Sequence, residues 1–202
     1  MEKCLIYIHG KGGSPAEAEH YTPLFPEHEI IGLDYRATTP WEAGRELRSA
    51  IETRCGRFGE RILAANSIGA FFAMHAGIDA LVRRAYFISP IVDMEALIRG
   101  MMASAGVTER ELKARGEIPT AFGETLSWEY LRYVRSHPIR WSAPTRILYG
   151  SRDEMTSHDA VAAFAARCGA ELTVMDGGEH WFHTPEQMAF LDAWIRDSEA
   201  AR

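Results

Sequence analysis

The amino-acid sequence predicts an α/β fold, a mostly parallel sheet of about six strands with helices on both faces. Three observations lead there. Short runs rich in Ile, Leu, Val, Phe and Tyr alternate with longer amphipathic segments. The runs are apolar along their length rather than alternating with polar residues, as strands buried on both faces must be. The turns after several of them carry Gly, Ser, Asp and His, so reactive side chains collect at strand ends, where sites in open α/β sheets gather.

Taken in order, the expected strands cover residues 3–8, 29–34, 61–65, 84–88, 145–149 and 171–175. A helix follows the second strand. Thr39-Pro40 supplies an N-cap and a first-turn proline, Glu42 completes a capping box, and Ala43, Leu47 and Ile51 share one face. The third strand passes into an apolar helix with Phe71, Phe72 and Met74. The stretch between Ser89 and Thr145 offers no convincing strand. A helix from Asp93 would align Leu97, Ile98, Met101, Met102 and Ala105, and Thr108 with Glu111 forms a second capping box that Gly116 ends. Ser127 caps a further helix with Tyr130, Leu131 and Val134, stopping before Pro138. This reads as a helical insertion over the sheet, about 92–138, within one domain spanning 1–202. Thr184-Pro185 starts the last helix.

Composition bounds the partners. A chain of 202 residues that is 47% hydrophobic buries roughly 70% of its unfolded surface, enough for a core without disulfides or a structural metal. Lys and Arg number 22 against 28 Asp and Glu, a net charge of −6 with no basic cluster, which excludes a nucleic-acid footprint. The longest apolar run, 160–166, is far short of the ~20 residues of a membrane span, and the apolar stretch 4–8 is too short for a signal peptide. Cys4, Cys55 and Cys168 are widely spaced and form no C-x-x-C pair, so a reducing cytoplasm is the expected compartment. A small molecule is the expected partner.

Two turns invite chemistry. The first strand runs into His9-Gly10-Lys11-Gly12-Gly13-Ser14-Pro15, where glycines let the backbone approach a ligand closely. The phosphate-loop pattern is absent, and a dinucleotide fingerprint fails at Pro15; a purely structural turn stays open. The third strand ends Ala65-Asn66-Ser67-Ile68-Gly69-Ala70. A serine on so sharp a strand-to-helix turn needs small neighbours two residues to either side, which Ala65 and Gly69 are. The turn would aim the Ile68 N–H at a developing oxyanion at a helix N-terminus.

At this point the chain resembles the α/β-hydrolase fold family, in particular its small serine hydrolases, whose elbow usually reads G-x-S-x-G; here Ala65 replaces the first glycine. Tyr149-Gly150-Ser151-Arg152-Asp153 is similar to the family's acid loop, and Asp176-Gly177-Gly178-Glu179-His180-Trp181 to its histidine loop. The order Ser, Asp, His is the family's order. The resemblance implies a three-layer α/β-hydrolase fold lacking the first two family strands, with the insertion as a lid. It implies Ser67 as nucleophile, His180 as base and Asp153 as its orienting acid, with the N–H groups of Lys11 and Ile68 as oxyanion donors. Glu154 and His183 remain the competing acid and base, and Asp34-Tyr35-Arg36 reads as a structural turn. Gly12, Met101, Met102, Phe122 and Trp181 are the candidate substrate contacts, the two methionines and Phe122 as an adaptable apolar roof.

No cofactor is implied. Glu179, His180 and His183 give E-H-x-x-H rather than the zinc-protease pattern H-E-x-x-H, so no metal is expected either. The expected activity is hydrolysis of a small ester. A thioesterase, amidase or peptidase, C–C hydrolase or cofactor-free peroxidase on the same fold stays open, as does a non-catalytic ligand-binding protein.

Overall fold

Strand β1 (Lys3–Ile8) opens the computed structural model, which describes residues 2–201. A 3₁₀ helix (Pro15–Tyr21) leads to β2 (Glu29–Gly32), then α1 (Pro40–Cys55), β3 (Glu60–Asn66), α2 (Ile68–His75) and β4 (Arg84–Ile88). Next come α3 (Met94–Ser104), α4 (Glu109–Arg115), β5 (Glu117–Pro119), β6 (Thr125–Ser127) and α5 (Trp128–Ser136). The chain closes with β7 (Thr145–Gly150), α6 (His158–Cys168), β8 (Glu171–Met175) and α7 (Pro185–Ala200).

Two compact units result, one running to Val92 and resuming at Arg140, the other spanning Asp93–Ile139. The first unit holds a six-stranded sheet in the order β2-β1-β3-β4-β7-β8. All five pairings in it are parallel. Its registers bring the strand tips level: Ile8 pairs with Ala65, Asn66 with Ile88, Ile88 with Leu148, and Gly150 with Met175. Whatever follows β3, β7 and β8 therefore emerges along one edge. On one side of the sheet Tyr7, Ala64 and Tyr86 join Phe25 and the α7 residues Leu191 and Ile195 in a buried cluster.

The expected strands are present with shifted ends. The second is shorter than 29–34: Leu33 still donates to the Tyr7 carbonyl at 2.9 Å, but the chain leaves the sheet as Tyr35 turns inward, its hydroxyl bonded to the His9 carbonyl. Helix α1 buries Ala43, Leu47 and Ile51 as the spacing predicts. Its capping box does not form; the Thr39 hydroxyl instead donates to the Glu42 carboxylate at 2.7 Å, leaving no hydroxyl bond to the helix N–H groups.

The second unit corrects the expectation of an insertion without strands. β5 and β6 pair antiparallel, Ile118 opposite Leu126, with both side chains buried. Each strand has three residues, too few for an alternating pattern to stand out. The helices start where their caps predict. Asp93, Thr108 and Ser127 accept from the N–H groups of Ala96, Glu111 and Tyr130, and Gly116 ends α4 at φ 77°. Arg135 of α5 pairs with Glu95 of α3 at 2.8 Å and Glu109 of α4 at 2.7 Å, tying the three helices together. Among the described residues no helix is long and apolar enough to cross a membrane, and no cysteine is in a disulfide.

Candidate active site

The turn after β3 is strained. Ser67 sits at φ 50°, ψ −121°, a region that costs a side-chain-bearing residue roughly 1–3 kcal/mol. Neighbouring backbone holds it there: the Ser67 N–H donates to the Ile88 carbonyl at 3.0 Å, and the Ser67 carbonyl accepts from Ile91 at 3.2 Å. Gly69 makes the turn possible, because a Cβ there would collide with the His9 carbonyl oxygen. The consequence is that Ser67 projects from the strand tip with the free N–H end of α2 beginning at Ile68.

The acid and histidine loops close on each other. Gly150 lies so near Gly178 that a Cβ on Gly150 would strike the Gly178 backbone. The Ser151 N–H donates to the Met175 carbonyl at 2.9 Å, and the Arg152 N–H to the Gly178 carbonyl at 2.8 Å. The Ser151 hydroxyl accepts from the Gly177 N–H at 2.8 Å and donates to Asp176 at 3.1 Å. One serine thus ties both loops, although nothing in the sequence marked it apart from its neighbours.

These loops deliver His180 to Ser67. The Ser67 hydroxyl lies 2.8 Å from His180 Nε2, and His180 Nδ1 lies 2.7 Å from Asp153 Oδ2. The Asp153 side chain is fully buried, and its other oxygen accepts from the N–H groups of Met155 at 2.8 Å and Thr156 at 3.1 Å. An ionised carboxylate only accepts, so it selects the tautomer with the proton on Nδ1. Nε2 then presents a lone pair, and the Ser67 hydroxyl donates to it. The arrangement can take a proton from Ser67 as the oxygen attacks, and the buried carboxylate stabilises the resulting imidazolium. The competing residues lie elsewhere: Glu154 is exposed, and His183 Nδ1 faces the Trp181 carbonyl at 2.7 Å.

The glycine-rich loop meets the same point. A Cβ on Gly10 would lie 3.3 Å from the Ser67 Cβ, so the loop bearing Lys11 touches the elbow. Tyr35 anchors the loop's base, stacking on His9 at 4.5 Å between ring centroids and donating to its carbonyl at 2.8 Å. It does so from the turn expected to be structural. Gly12 follows at φ 75° with open space around its Cα. Trp181, 70% exposed, stacks on His183 at 4.4 Å. Met101, Met102 and Phe122 lie in the second unit, Met102 buried, Met101 half-buried and Phe122 exposed. The structure brings Ser67, His180 and Asp153 together, with Gly10 against Ser67.

No family model matches the chain, and no curated protein matches its sequence. Solved structures do match. Mouse alpha/beta hydrolase domain-containing protein 10 superposes with a TM-score of 0.76 at 20% identity, over 98% of this chain and 89% of that one. Est1E from Butyrivibrio proteoclasticus gives 0.73 at 17%, over 99% and 87%. An alpha-beta serine hydrolase homologue from Coxiella burnetii gives 0.60 at 16%, over 98% and 84%. With its parallel sheet and strand order, the chain has the α/β-hydrolase fold.

Proposed function

We propose that the protein is a serine hydrolase that cleaves a small carboxylic ester through an acyl-enzyme. The observation that carries this reading is the continuous hydrogen-bonded line from Ser67 Oγ through His180 to buried Asp153, at 2.8 and 2.7 Å, with the serine on a strained strand-to-helix turn. Ser67 attacks the acyl carbonyl as His180 takes its proton; the imidazolium then protonates the leaving alcohol. The oxyanion is held by the N–H groups of Ile68 and Lys11. His180 next activates a water that attacks the acyl-enzyme, releasing the acid and restoring Ser67. No step calls on a cofactor or metal.

In this reading Gly12 and Trp181 contact the substrate from the catalytic loops, and Met101, Met102 and Phe122 of the unit 93–139 are the proposed determinants of acyl selectivity. Three thiols outside any disulfide accord with a reducing, cytoplasmic setting.

Labelling with a fluorophosphonate tests the nucleophile. The wild-type chain is expected to take up one label, and Ser67→Ala none, with esterase turnover reduced by at least about a thousandfold. A Ser67→Ala protein that still labels or still turns over ester at the wild-type rate overturns the scheme. A panel of p-nitrophenyl esters, acyl thioesters and aminoacyl amides then identifies the bond cleaved. A folded chain that takes up no label and turns over none of them would point to a ligand-binding role.

A further inference from the structure

One carboxylate lies against the glycine-rich loop and is linked to the elbow through Tyr7 and Asn66. Glu17, in the 3₁₀ helix after the glycine-rich loop, accepts from the Ser14 N–H through Oε1 at 3.0 Å. Its Oε2 accepts from the Tyr7 hydroxyl at 2.5 Å. That hydroxyl in turn accepts from Asn66 Nδ2 at 2.9 Å, and Asn66 is the residue before Ser67. The line therefore runs from the end of the glycine-rich loop, through the C-terminal end of β1, to the nucleophile elbow.

The direction of these bonds follows from the chemistry of the groups. A carboxylate has no proton to give, so Tyr7 must donate to Glu17 and has only a lone pair left for Asn66. This fixes which way the Asn66 amide faces. Its Oδ1 is buried without a hydrogen-bond partner, so Tyr7 is what orients the amide. Burial, with Tyr21 and Glu17 beside it, holds the Tyr7 hydroxyl far above the ordinary tyrosine range, so it stays protonated. On the loop side, a Cβ at Gly13 would come within 2.7 Å of Glu17 Oε1. The carboxylate thus packs directly under the loop whose Gly10 touches Ser67.

We propose that Glu17 is a positioning residue, holding the Lys11 and Ile68 oxyanion donors in register by tying the glycine-rich loop to the elbow through Tyr7 and Asn66. The inference rests on the serine-hydrolase reading above. Glutamine at position 17 has one acceptor where two donors, Ser14 N–H and Tyr7 O–H, need one each. In Glu17→Gln the amide N–H therefore donates a hydrogen bond to the Tyr7 oxygen, the Tyr7 hydroxyl donates to Asn66 Oδ1, and the Asn66 amide turns over. Because Glu17 is an exposed residue, the variant is expected to fold.

The test uses p-nitrophenyl acetate turnover and inhibition by phenylboronic acid, whose serine adduct places an oxygen where the oxyanion forms. Glu17→Gln and Tyr7→Phe are each expected to lower kcat roughly ten- to a hundredfold with KM within about twofold, since misplaced donors act on the transition state. The boronic acid Ki should rise by the same factor as kcat falls. The double variant should be no slower than the slower single, because both cut one line. The proposal is overturned if both variants keep kcat within about twofold of wild type, if the loss lies in KM alone, or if the two losses multiply. Should Glu17→Gln not fold, near-isosteric Tyr7→Phe decides by the same kcat and Ki readings. Failure of the underlying reading looks different: the wild type itself would not turn over ester, or Ser67→Ala would.

Discussion

Ser67 stands at φ 50°, and a serine there is tolerated only because Ile88 at the end of β4 holds its N–H and Ile91 just beyond holds its carbonyl. The strain gives a measurable signature. Ser67→Gly should be more stable than wild type by about 1 kcal/mol, the relief of positive φ less the added freedom of the unfolded chain. For a domain of this size that is a rise in Tm of roughly 3 °C, and it should come with complete loss of activity. A lower Tm would show that the turn is not strained. The residue scale is also where the sequence was most explicit. A small-x-Ser-x-Gly turn between an apolar strand and an apolar helix can be read directly, because steric room at two positions is a property of the residue types. The choice of Asp153 over Glu154 could not be read that way. Both are acids in one turn, and only the backbone fold sends one inward to the Met155 and Thr156 N–H groups and leaves the other in solvent.

Among the elements, the loops after β7 and β8 behave as one piece. Backbone bonds cross between them, and the Ser151 side chain adds two more. Ser151→Ala removes the acceptor of the Gly177 N–H and the donor to Asp176, at a cost of about 1 kcal/mol. It is expected to lower kcat a few-fold through a less firmly held His180, while Glu17 and the elbow stay intact; urea unfolding and ester kinetics measure the two effects. Unchanged stability and unchanged kcat would mean the backbone bonds alone suffice. Helix starts were legible because a cap is local chemistry: Asp93, Thr108, Ser127 and Thr184 all accept from the first turn of their helices. Thr39 shows the limit, since its hydroxyl donates to Glu42 and accepts from no helix N–H. The β5–β6 hairpin escaped notice because three-residue strands carry too little periodicity to distinguish them from a turn.

On the scale of the whole molecule, the sheet separates stability from chemistry. The reactive loops leave the C-terminal ends of β3, β7 and β8, whereas Arg84 at the start of β4 pairs with Glu60 of β3 at 3.2 Å and with Glu199 of α7 at 2.9 Å. All three side chains are at most 21% exposed. Arg84→Ala leaves the two carboxylates without their shared cation, a loss of about 2 kcal/mol and roughly 5 °C in Tm. Both kcat and KM should stay at wild-type values, as thermal unfolding and ester kinetics would record. A matching fall in kcat would show the two ends of the sheet to be coupled. By itself the sequence determined the parallel sheet, its helices and the small-x-Ser-x-Gly turn at Ser67, while its resemblance to the α/β-hydrolase family implied Asp153 and His180 as partners. The sheet, helices and turn follow from residue type and short-range spacing, which act within a few positions of the chain. Only the tertiary structure decided what lies beside what. The strand registers level the tips of β3, β7 and β8 and bring Ser67 within 2.8 Å of a histidine 113 positions away. They also set Tyr7 of β1 between Glu17 and Asn66. Such contacts depend on the pairing of distant strands, which no local pattern of residues records.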